Sequence, residues 1–320
     1  MQWLAWLLPL SSGACDAASR YVIKTTKVHK FTLISAGFFF ALPVYAIWLL
    51  LVGIPVIQKE FWVAVGCHVP LLAWANILTV EAHRKSPLIL TMPYLSFTPA
   101  FLLGTAPLMN WLMASVGLSG ARLENPTIYG AVGVLVLTMG LYVLNTQSSH
   151  IGFLAPFRAF FKEEGSRKML LVSFIFAFAA NFDYIALKGA NAPTYLLIDH
   201  GSVAVIVALL AVWYRKMNKT NGESISPVGN FRALGLYGLV IACSIVFHMS
   251  AFAWIPTVSY VIASKRVGAI LFTVGMGLIL GFFMKHKDFL KEGEDLKYRI
   301  PGTLIMIVGM LVIIFWGKTA

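Results

Sequence analysis

The sequence predicts an all-α integral membrane protein with ten transmembrane helices, arranged as two inverted repeats of five helices. Hydrophobic residues make up 59% of its 320 residues and charged residues only 12%, which is about half the charge of an average soluble domain. Apolar segments close to 20 residues recur along the chain, and this is the length that an α-helix needs to cross a bilayer. Short motifs also recur at corresponding places in the two halves, and these predict the repeat.

Ten segments are apolar enough and long enough to form the spans. They cover residues 2–19, 31–52, 62–82, 86–108 and 126–144 in the first half, and 169–188, 194–214, 235–260, 266–284 and 300–317 in the second. We divide the chain into a first repeat over residues 1–145, a linker over 146–165 and a second repeat over 166–320. Phenylalanines and charged residues share the linker at helical spacing, which predicts a short amphipathic helix on the membrane surface.

Basic residues dominate the charge, with 25 Lys and Arg against 13 Asp and Glu and a formal net charge of +12. They fall in short connections between the predicted spans, where basic residues set membrane orientation and contact lipid headgroups. This distribution predicts a lipid bilayer as a partner and argues against nucleic acid. Nineteen of these residues follow spans one, three, five, seven and nine, and six follow the other spans. Both termini are therefore predicted to lie outside the cytoplasm.

The sequence contains no ATP-binding loop, no GxSxG motif and no His-rich cluster. We therefore expect no enzymatic activity, no cofactor and no bound metal. The alternative is a membrane enzyme that uses His68 or His248. The cysteines Cys15, Cys67 and Cys243 each lie in an apolar segment without CxxC spacing. This favours core packing over metal binding or a disulfide.

Part of the evidence for the repeat comes from small residues. Two glycines seven residues apart occur in the fifth span, Gly133 and Gly140, and in the last span, Gly302 and Gly309. Small residues at such spacing let two membrane helices approach closely. Basic motifs at 82–87 and 263–268 precede the fourth and ninth spans in the same way. Because five helices per half is an odd number, the second copy must be inverted, an arrangement typical of transporters with a substrate site near the midplane.

Two aspartates inside apolar segments are the first candidate site residues. Asp183 lies far into the sixth span, beside Asn181, and Asp16 occupies a similar place in the first span. A carboxylate in hydrocarbon is expensive and usually faces a cavity or a partner. Both residues could bind a proton, a cation or a substrate amine. The alternative is a pair of structural ion pairs, Asp183 with Lys188 and Asp16 with Arg20, that reach toward the interface.

Two histidines are the next candidates. His68 and His248 lie in the third and eighth spans, at corresponding positions of the repeat. An imidazole changes charge near neutral pH, which suits a proton relay. The competing interpretation is that each makes an ordinary hydrogen bond between helices.

The fourth span is predicted to be kinked by Pro93 and Pro99, because proline frees backbone carbonyls and bends a helix. Its polar residues, Thr91, Tyr94, Ser96 and Thr98, then favour a cavity wall over a packing kink. The facing wall is predicted from the ninth span: Gly268, Thr273, Gly275, Gly277 and Gly281, with close helix packing as the alternative. The Asp199–His200 pair is expected near an interface and receives little functional weight.

The residues KSPLILTMPYLSFTPAFLLG at 85–104 resemble the fourth helix of an EamA domain, and residues 133–145 resemble the fifth. The whole chain is similar to two EamA halves of the drug/metabolite transporter superfamily. This resemblance implies ten helices, an inverted repeat and a central cavity, in a family that exports amino acids and metabolites and has relatives that flip lipid-linked sugars. The family often ends its fourth and ninth helices with Gly-Glu. Here Thr105 follows Gly104 and Phe282 follows Gly281, so the role of that glutamate does not carry over.

We therefore expect a secondary transporter, in the plasma membrane of a bacterium or archaeon, that exports a small polar or amphipathic metabolite by alternating access between the two halves. Its partners would be the bilayer and a small-molecule or lipid-like substrate, and a homodimer is left open. A flippase for a lipid-linked substrate and a non-transporting scaffold are the alternatives. The predicted orientation of the termini runs against the resemblance, since ten-helix relatives usually keep both termini inside.

Overall fold

The computed structural model describes residues 2–26, 28–86, 94–118, 122–147, 162–217, 231–284 and 296–317. Within these ranges a short 3-10 helix at Gln2–Trp6 is followed by ten α-helices, and no strand is present. The helices of the first half are α1 (Leu7–Thr25), α2 (Lys30–Val52), α3 (Lys59–Lys85), α4 (Thr98–Ser115) and α5 (Ile128–Gln147). Those of the second half are α6 (Glu164–Gly189), α7 (Ala192–Met217), α8 (Phe231–Phe252), α9 (Val258–Met284) and α10 (Leu296–Trp316). The all-α class is confirmed.

The described helices have the length and surface of a protein embedded in a membrane. Five of them are long and apolar enough to cross a bilayer: α2, α3, α6, α7 over 192–214, and α8. The apolar parts of α5 and α10 are shorter. Large apolar side chains such as Leu50, Leu209 and Trp213 face outward and are mostly exposed. An outer surface of this kind is covered by lipid more readily than by water.

Helix pairs from the two halves pack against each other. The main pairs are α5 with α10, α3 with α6, α1 with α9, and α2 with α7; α8 packs on α1 and α2, and α4 packs on α6. Each half therefore contacts mainly the other half, and the core lies between them.

Glycines bring α5 and α10 into close contact, as their spacing predicts. A Cβ atom on Gly140 would lie 2.4 Å from the backbone nitrogen of Met306, and one on Gly309 would lie 2.4 Å from that of Leu137. Gly268 behaves in the same way, because a Cβ there would lie 2.0 Å from the carbonyl oxygen of Leu10. It packs on α1 and does not form a cavity wall, so that expectation is wrong. The other residues expected in that wall, Thr273, Gly275, Gly277 and Gly281, lie outside the residues whose side chains are described.

Ion pairs join several helix ends at one end of the bundle. Glu81, near the end of α3, pairs with Lys30 of α2 and with Lys168 of α6 at 2.5 Å. Lys85 pairs with Glu164 at 2.8 Å. Arg84 donates to the carbonyl of Val28, which follows α1. We call this the basic end.

The opposite end of the bundle carries the other termini of the same helices. Asn191 donates to the carbonyl of Gly53 at 2.8 Å, and the backbone nitrogen of Gln58 donates to Gly189 at 2.9 Å. The ring of Tyr184 in α6 lies 5.7 Å from that of Phe252, where α8 ends. The chain therefore runs back and forth between the two ends.

The fourth, eighth and ninth predicted spans differ most from the helices of the structure. The predicted span 86–108 is replaced by α4, in which Pro99 is the second residue. Proline suits the first turn of a helix because its missing N–H is not needed there, so Pro99 lies in the first turn of α4 and does not kink it. Pro93 and Thr91 lie outside the described residues, as does most of the predicted linker helix. In the second half, α8 ends at Phe252 and α9 begins at Val258. The basic motif expected before the ninth span thus lies within α9.

Candidate functional site

A central cavity opens between the two halves of the bundle. Its volume is about 150 Å³, whereas a single water needs only about 10–15 Å³ of such space. Several waters or one small organic molecule can therefore fit. Helices of both halves line it, chiefly α1, α3, α6, α8 and α9. Its charged and imidazole side chains are Asp16, Arg20, His68, Asp183, His200, His248, Lys265 and Arg266.

Asp183 lies in the wall of this cavity with two histidines beside it. Nε2 of His68 is 3.3 Å from Oδ1 of Asp183, and Nε2 of His248 is 4.0 Å from Oδ2. The hydroxyl of Tyr195 donates a hydrogen bond of 2.5 Å to Oδ1. The carboxylate is therefore held from α3 and α7, and α8 places a second imidazole near it.

Asp199 supports His68 from behind. Its Oδ1 is 2.8 Å from Nδ1 of His68, and its side chain is fully buried. Tyr195 and Asp199 lie four positions apart on α7, so both side chains face α3. The hydroxyl of Tyr195 is also 3.0 Å from Nδ1 of His68. One imidazole thus stands between two carboxylates, an arrangement that can hold a proton and pass it between them.

A second cluster joins α1 and α9, and we call it the α1–α9 cluster: Asp16, Arg20, Lys265 and Arg266. Arg20 follows Asp16 by four residues on α1 and donates to its Oδ2 at 2.8 Å. Arg266 reaches the same oxygen from α9 at 3.4 Å. Lys265 lines the cavity beside them. This part of the cavity wall is therefore rich in positive charge.

The structure brings most of the predicted site residues to one place. Asp183, His68, His248, Asp16 and Thr98 all line the cavity. Thr98 also shares a hydrogen bond of 2.9 Å with Ser173. Tyr94 and Ser96 are buried but do not line the cavity.

Two expectations about the sixth span are wrong. Asn181 does not border the cavity; it is fully buried and donates to Oγ1 of Thr105 in α4 at 3.0 Å. Two positions along a helix turn a side chain through about 200°, so Asn181 and Asp183 face nearly opposite sides. Lys188 does not pair with Asp183 either, because its Nζ lies 5.1 Å above the ring of Tyr184. The pair of Asp16 with Arg20 does form, but its members face the cavity.

Sequence reasoning missed several site residues. Asp199 and His200 received little functional weight, yet both are buried within α7, and Nδ1 of His200 lies 3.1 Å from the hydroxyl of Tyr45. The sequence does point to Asp199, because it is a carboxylate inside an apolar segment and the argument made for Asp183 applies to it as well. The role of Lys265 and Arg266 could not be predicted, because two adjacent basic residues are typical of a connection between spans.

The described residues contain no group of three or more His, Cys, Asp and Glu side chains that could hold a metal ion. The polar cavity and its two charged clusters thus define the class of protein as an all-α membrane protein with a charged central site.

Comparison with known proteins shows that the fold also occurs in a solved structure. No protein-family model matches this sequence, and no curated protein matches it. Thirteen chains of solved structures match. One of them, described only as "Crystal structure of protein", superimposes with a TM-score of 0.65 at 14% sequence identity. The match covers 100% of this chain and 99% of the other. At that identity the likeness shows a shared fold over the full length and nothing about activity.

Proposed function

We propose that this protein is a secondary transporter that moves a small polar or amphipathic metabolite across the membrane by alternating access. The observation that carries the proposal is the central cavity, which is lined from both halves and contains buried ionisable side chains. Intramembrane charges that face a cavity mark substrate and ion pathways. A cavity at the interface of two halves is also where transporters built from repeats bind their substrates.

The pattern of helix packing supports two inverted repeats. Consider exchanging each helix with the helix of the same rank in the other half, so that α1 exchanges with α6, α2 with α7 and so on. The packed pair α3 and α6 then becomes α8 and α1, which also pack against each other. The same exchange converts α1 and α9 into α6 and α4, and α2 and α8 into α7 and α3. The pairs α5 with α10 and α2 with α7 convert into themselves. This is the pattern expected if residues 1–145 and 166–320 are related by a pseudo-twofold axis. We propose further that the chain has ten spans and the EamA organisation that residues 85–104 and 133–145 resemble.

Asp183, with His68, His248, Tyr195 and Asp199 around it, forms what we call the Asp183 cluster. This cluster fits the centre of such a transporter. The proposed pseudo-twofold relation exchanges α3 with α8, and each of these helices brings a histidine, His68 or His248, close to Asp183. His68 belongs to the first half, whereas His248 lies in the same half as Asp183, so a movement of one half against the other would change the distance between His68 and Asp183. We infer that Asp183 and His68 take up and release a proton during the cycle, or bind a positively charged group of the substrate.

Flux measurements in proteoliposomes test the proposal. The full chain is reconstituted, and uptake of a panel of radiolabelled amino acids, organic acids, sugars and polyamines is measured with and without an imposed pH gradient. Protein-free liposomes and the Asp183→Asn variant serve as controls. We expect saturable uptake of one solute class, at a rate that is strongly reduced in the variant.

The same vesicles distinguish the alternatives. Fluorescently labelled phospholipids report flipping between leaflets through their accessibility to dithionite. Lipid flipping without solute flux would identify a flippase. Vesicles with correctly folded protein and neither activity would indicate a scaffold, and the proposal would be wrong.

A further inference from the structure

The α1–α9 cluster contains more positive than negative charge. Asp16 is its carboxylate, and it receives both Arg20 and Arg266 on one oxygen, Oδ2. Arg20 and Arg266 are each less than one tenth exposed. Among the described residues, Nζ of Lys265 has no hydrogen bond and no ion pair within 4.0 Å, although it lines the same cavity. Three cationic side chains thus share one carboxylate.

Such an excess needs a further partner. A charge that is taken out of water is strongly destabilised unless it is paired and hydrogen-bonded. Nε of Arg266 is also buried without a hydrogen-bond partner. The other carboxylate of the cavity, Asp183, is occupied by His68 and Tyr195. The missing negative charge can therefore come from a molecule that enters the cavity.

The chemistry of these side chains points to an oxyanion. A guanidinium group presents a planar fork of N–H donors that matches a carboxylate or a phosphate, and an ammonium group adds a compact charge. Next to them the cavity has an apolar wall that includes Ile241, Ile245 and Met249. A solute with one anionic end and a short organic body fits this combination.

We propose that the α1–α9 cluster binds the carboxylate or phosphate group of the transported solute, so that the substrate class is small organic anions. This inference rests on the proposed transport function and names its substrate class. Lys265 and Arg266 hold the anion, while Arg20 keeps Asp16 paired. The same oxyanion chemistry also occurs in a lipid headgroup, and the experiment separates the two sources.

Equilibrium binding to the purified full chain tests the proposal. The probes are succinate, glycerol 3-phosphate and inorganic phosphate, with succinamide and glycerol as uncharged counterparts and putrescine as a cation. Binding is measured by calorimetry and by the shift in thermal unfolding, in nanodiscs of phosphatidylcholine alone. We expect at least one anion to bind and its uncharged counterpart and the cation not to bind. Addition of sulfate should compete with the bound anion.

Variants locate the binding to this cluster. Lys265→Gln removes one positive charge but leaves Asp16 with both arginines, and it should weaken anion binding by about tenfold to a hundredfold. Lys265→Arg keeps the charge and should bind within a fewfold of the wild type. Lys188→Gln makes the same change at an exposed position outside the cavity and should have no effect. Should Lys265→Gln not fold, the comparison of charged and uncharged probes on the wild type decides the question.

The outcomes are distinct. If neither a free anion nor phosphatidylglycerol binds, or if Lys265→Gln binds anions as the wild type does, the proposal is wrong. Suppose that the free anions fail to bind while phosphatidylglycerol in the nanodisc shifts the thermal unfolding of the protein in a Lys265-dependent way. In that case the oxyanion site stands, and the oxyanion comes from a lipid headgroup. Anion binding without flux in proteoliposomes would leave the site intact and overturn the transport function. Flux of a cation or a neutral solute without anion binding would do the reverse.

Discussion

Nε2 of His68 lies 3.3 Å from the carboxylate of Asp183, while Nδ1 of the same ring lies 2.8 Å from the carboxylate of Asp199. One histidine therefore links a carboxylate in the cavity wall to a carboxylate that is fully buried. The two contacts constrain the ring from both sides, so His68 cannot turn without losing one of them. This coupling between α3, α6 and α7 is the basis of the first two predictions.

Replacing Asp183 by Asn should abolish the pH dependence of transport. The change keeps the shape of the side chain but removes the charge that faces His68 and His248, so a proton can no longer pass between His68 and the cavity wall at residue 183. We expect transport to fall about tenfold or more and to become flat between about pH 5.5 and 8, the range in which an imidazole titrates. Initial uptake rates over that range provide the measurement. A variant with the wild-type profile would show that Asp183 is structural.

The two histidines should differ in their effect on stability. His68→Gln leaves Asp199 buried without its ionic partner, and removing one member of a buried pair destabilises a protein by about 3–5 kcal/mol. His248 is the matched control, because its nearest carboxylate oxygen is 4.0 Å away and its Nδ1 has no partner. His248→Gln should therefore lower the unfolding temperature much less.

A double variant completes this test. His68→Gln combined with Asp199→Asn removes both charges and should recover most of the stability, because the uncompensated carboxylate is gone. Thermal unfolding in detergent measures all four proteins. Equal destabilisation by the two histidine variants would contradict the assigned pairing.

The residues of the Asp183 cluster could be predicted from the sequence only in part. Carboxylates and imidazoles inside apolar segments are conspicuous, and this reasoning finds Asp183, His68 and His248. It does not show which face of a helix points inward, and so it places Asn181 on the wrong side. The partners are set by helix packing between distant segments, and for this reason the role of Tyr195 emerges only in the structure.

The position of α9 shows the limit of hydropathy more clearly. Adjacent lysine and arginine residues lower the mean hydropathy of any window that contains them, so Lys265 and Arg266 are predicted to lie in a connection. In the structure they lie inside α9 because Asp16, 250 positions away from Arg266, supplies the opposite charge. Hydropathy averages neighbours in sequence and cannot include a charge that arrives from another helix.

The glycine contact between α5 and α10 should depend on the absence of side chains. Gly140→Ala would place a methyl group 2.4 Å from the backbone of Met306, and backbone cannot move as a flexible side chain can. We expect a loss of stability of about 1–3 kcal/mol from this overpacking. Gly104→Ala is the matched control, since a Cβ there meets nothing within 4 Å. It should be neutral or slightly stabilising. Comparable unfolding temperatures for the two variants would contradict the close packing of these helices.

The basic end of the bundle should face the cytoplasm. Three of the basic residues counted in the sequence line the cavity inside helices. Arg20 is one of the nineteen that follow spans one, three, five, seven and nine, and Lys265 and Arg266 are two of the other six. Setting them aside leaves eighteen against four, so the structure makes the asymmetry stronger. Basic residues in short connections remain on the cytoplasmic side.

The termini should consequently lie outside the cytoplasm, and cysteine labelling decides this. The helix α1 ends at the basic end and α10 ends with Trp316, whose carbonyl accepts a hydrogen bond from Thr127 at the start of α5. Because successive helices run in alternate directions, the start of α1 and the end of α10 belong to the end opposite the basic end. In a background without Cys15, Cys67 and Cys243, Ala320→Cys should react with a membrane-impermeant maleimide in intact cells. Asn221→Cys follows α7, which ends at the basic end, and should react only after permeabilisation. The reverse pattern would show that the protein keeps the orientation of the ten-helix family it resembles, and that its charge distribution is determined by something other than membrane insertion.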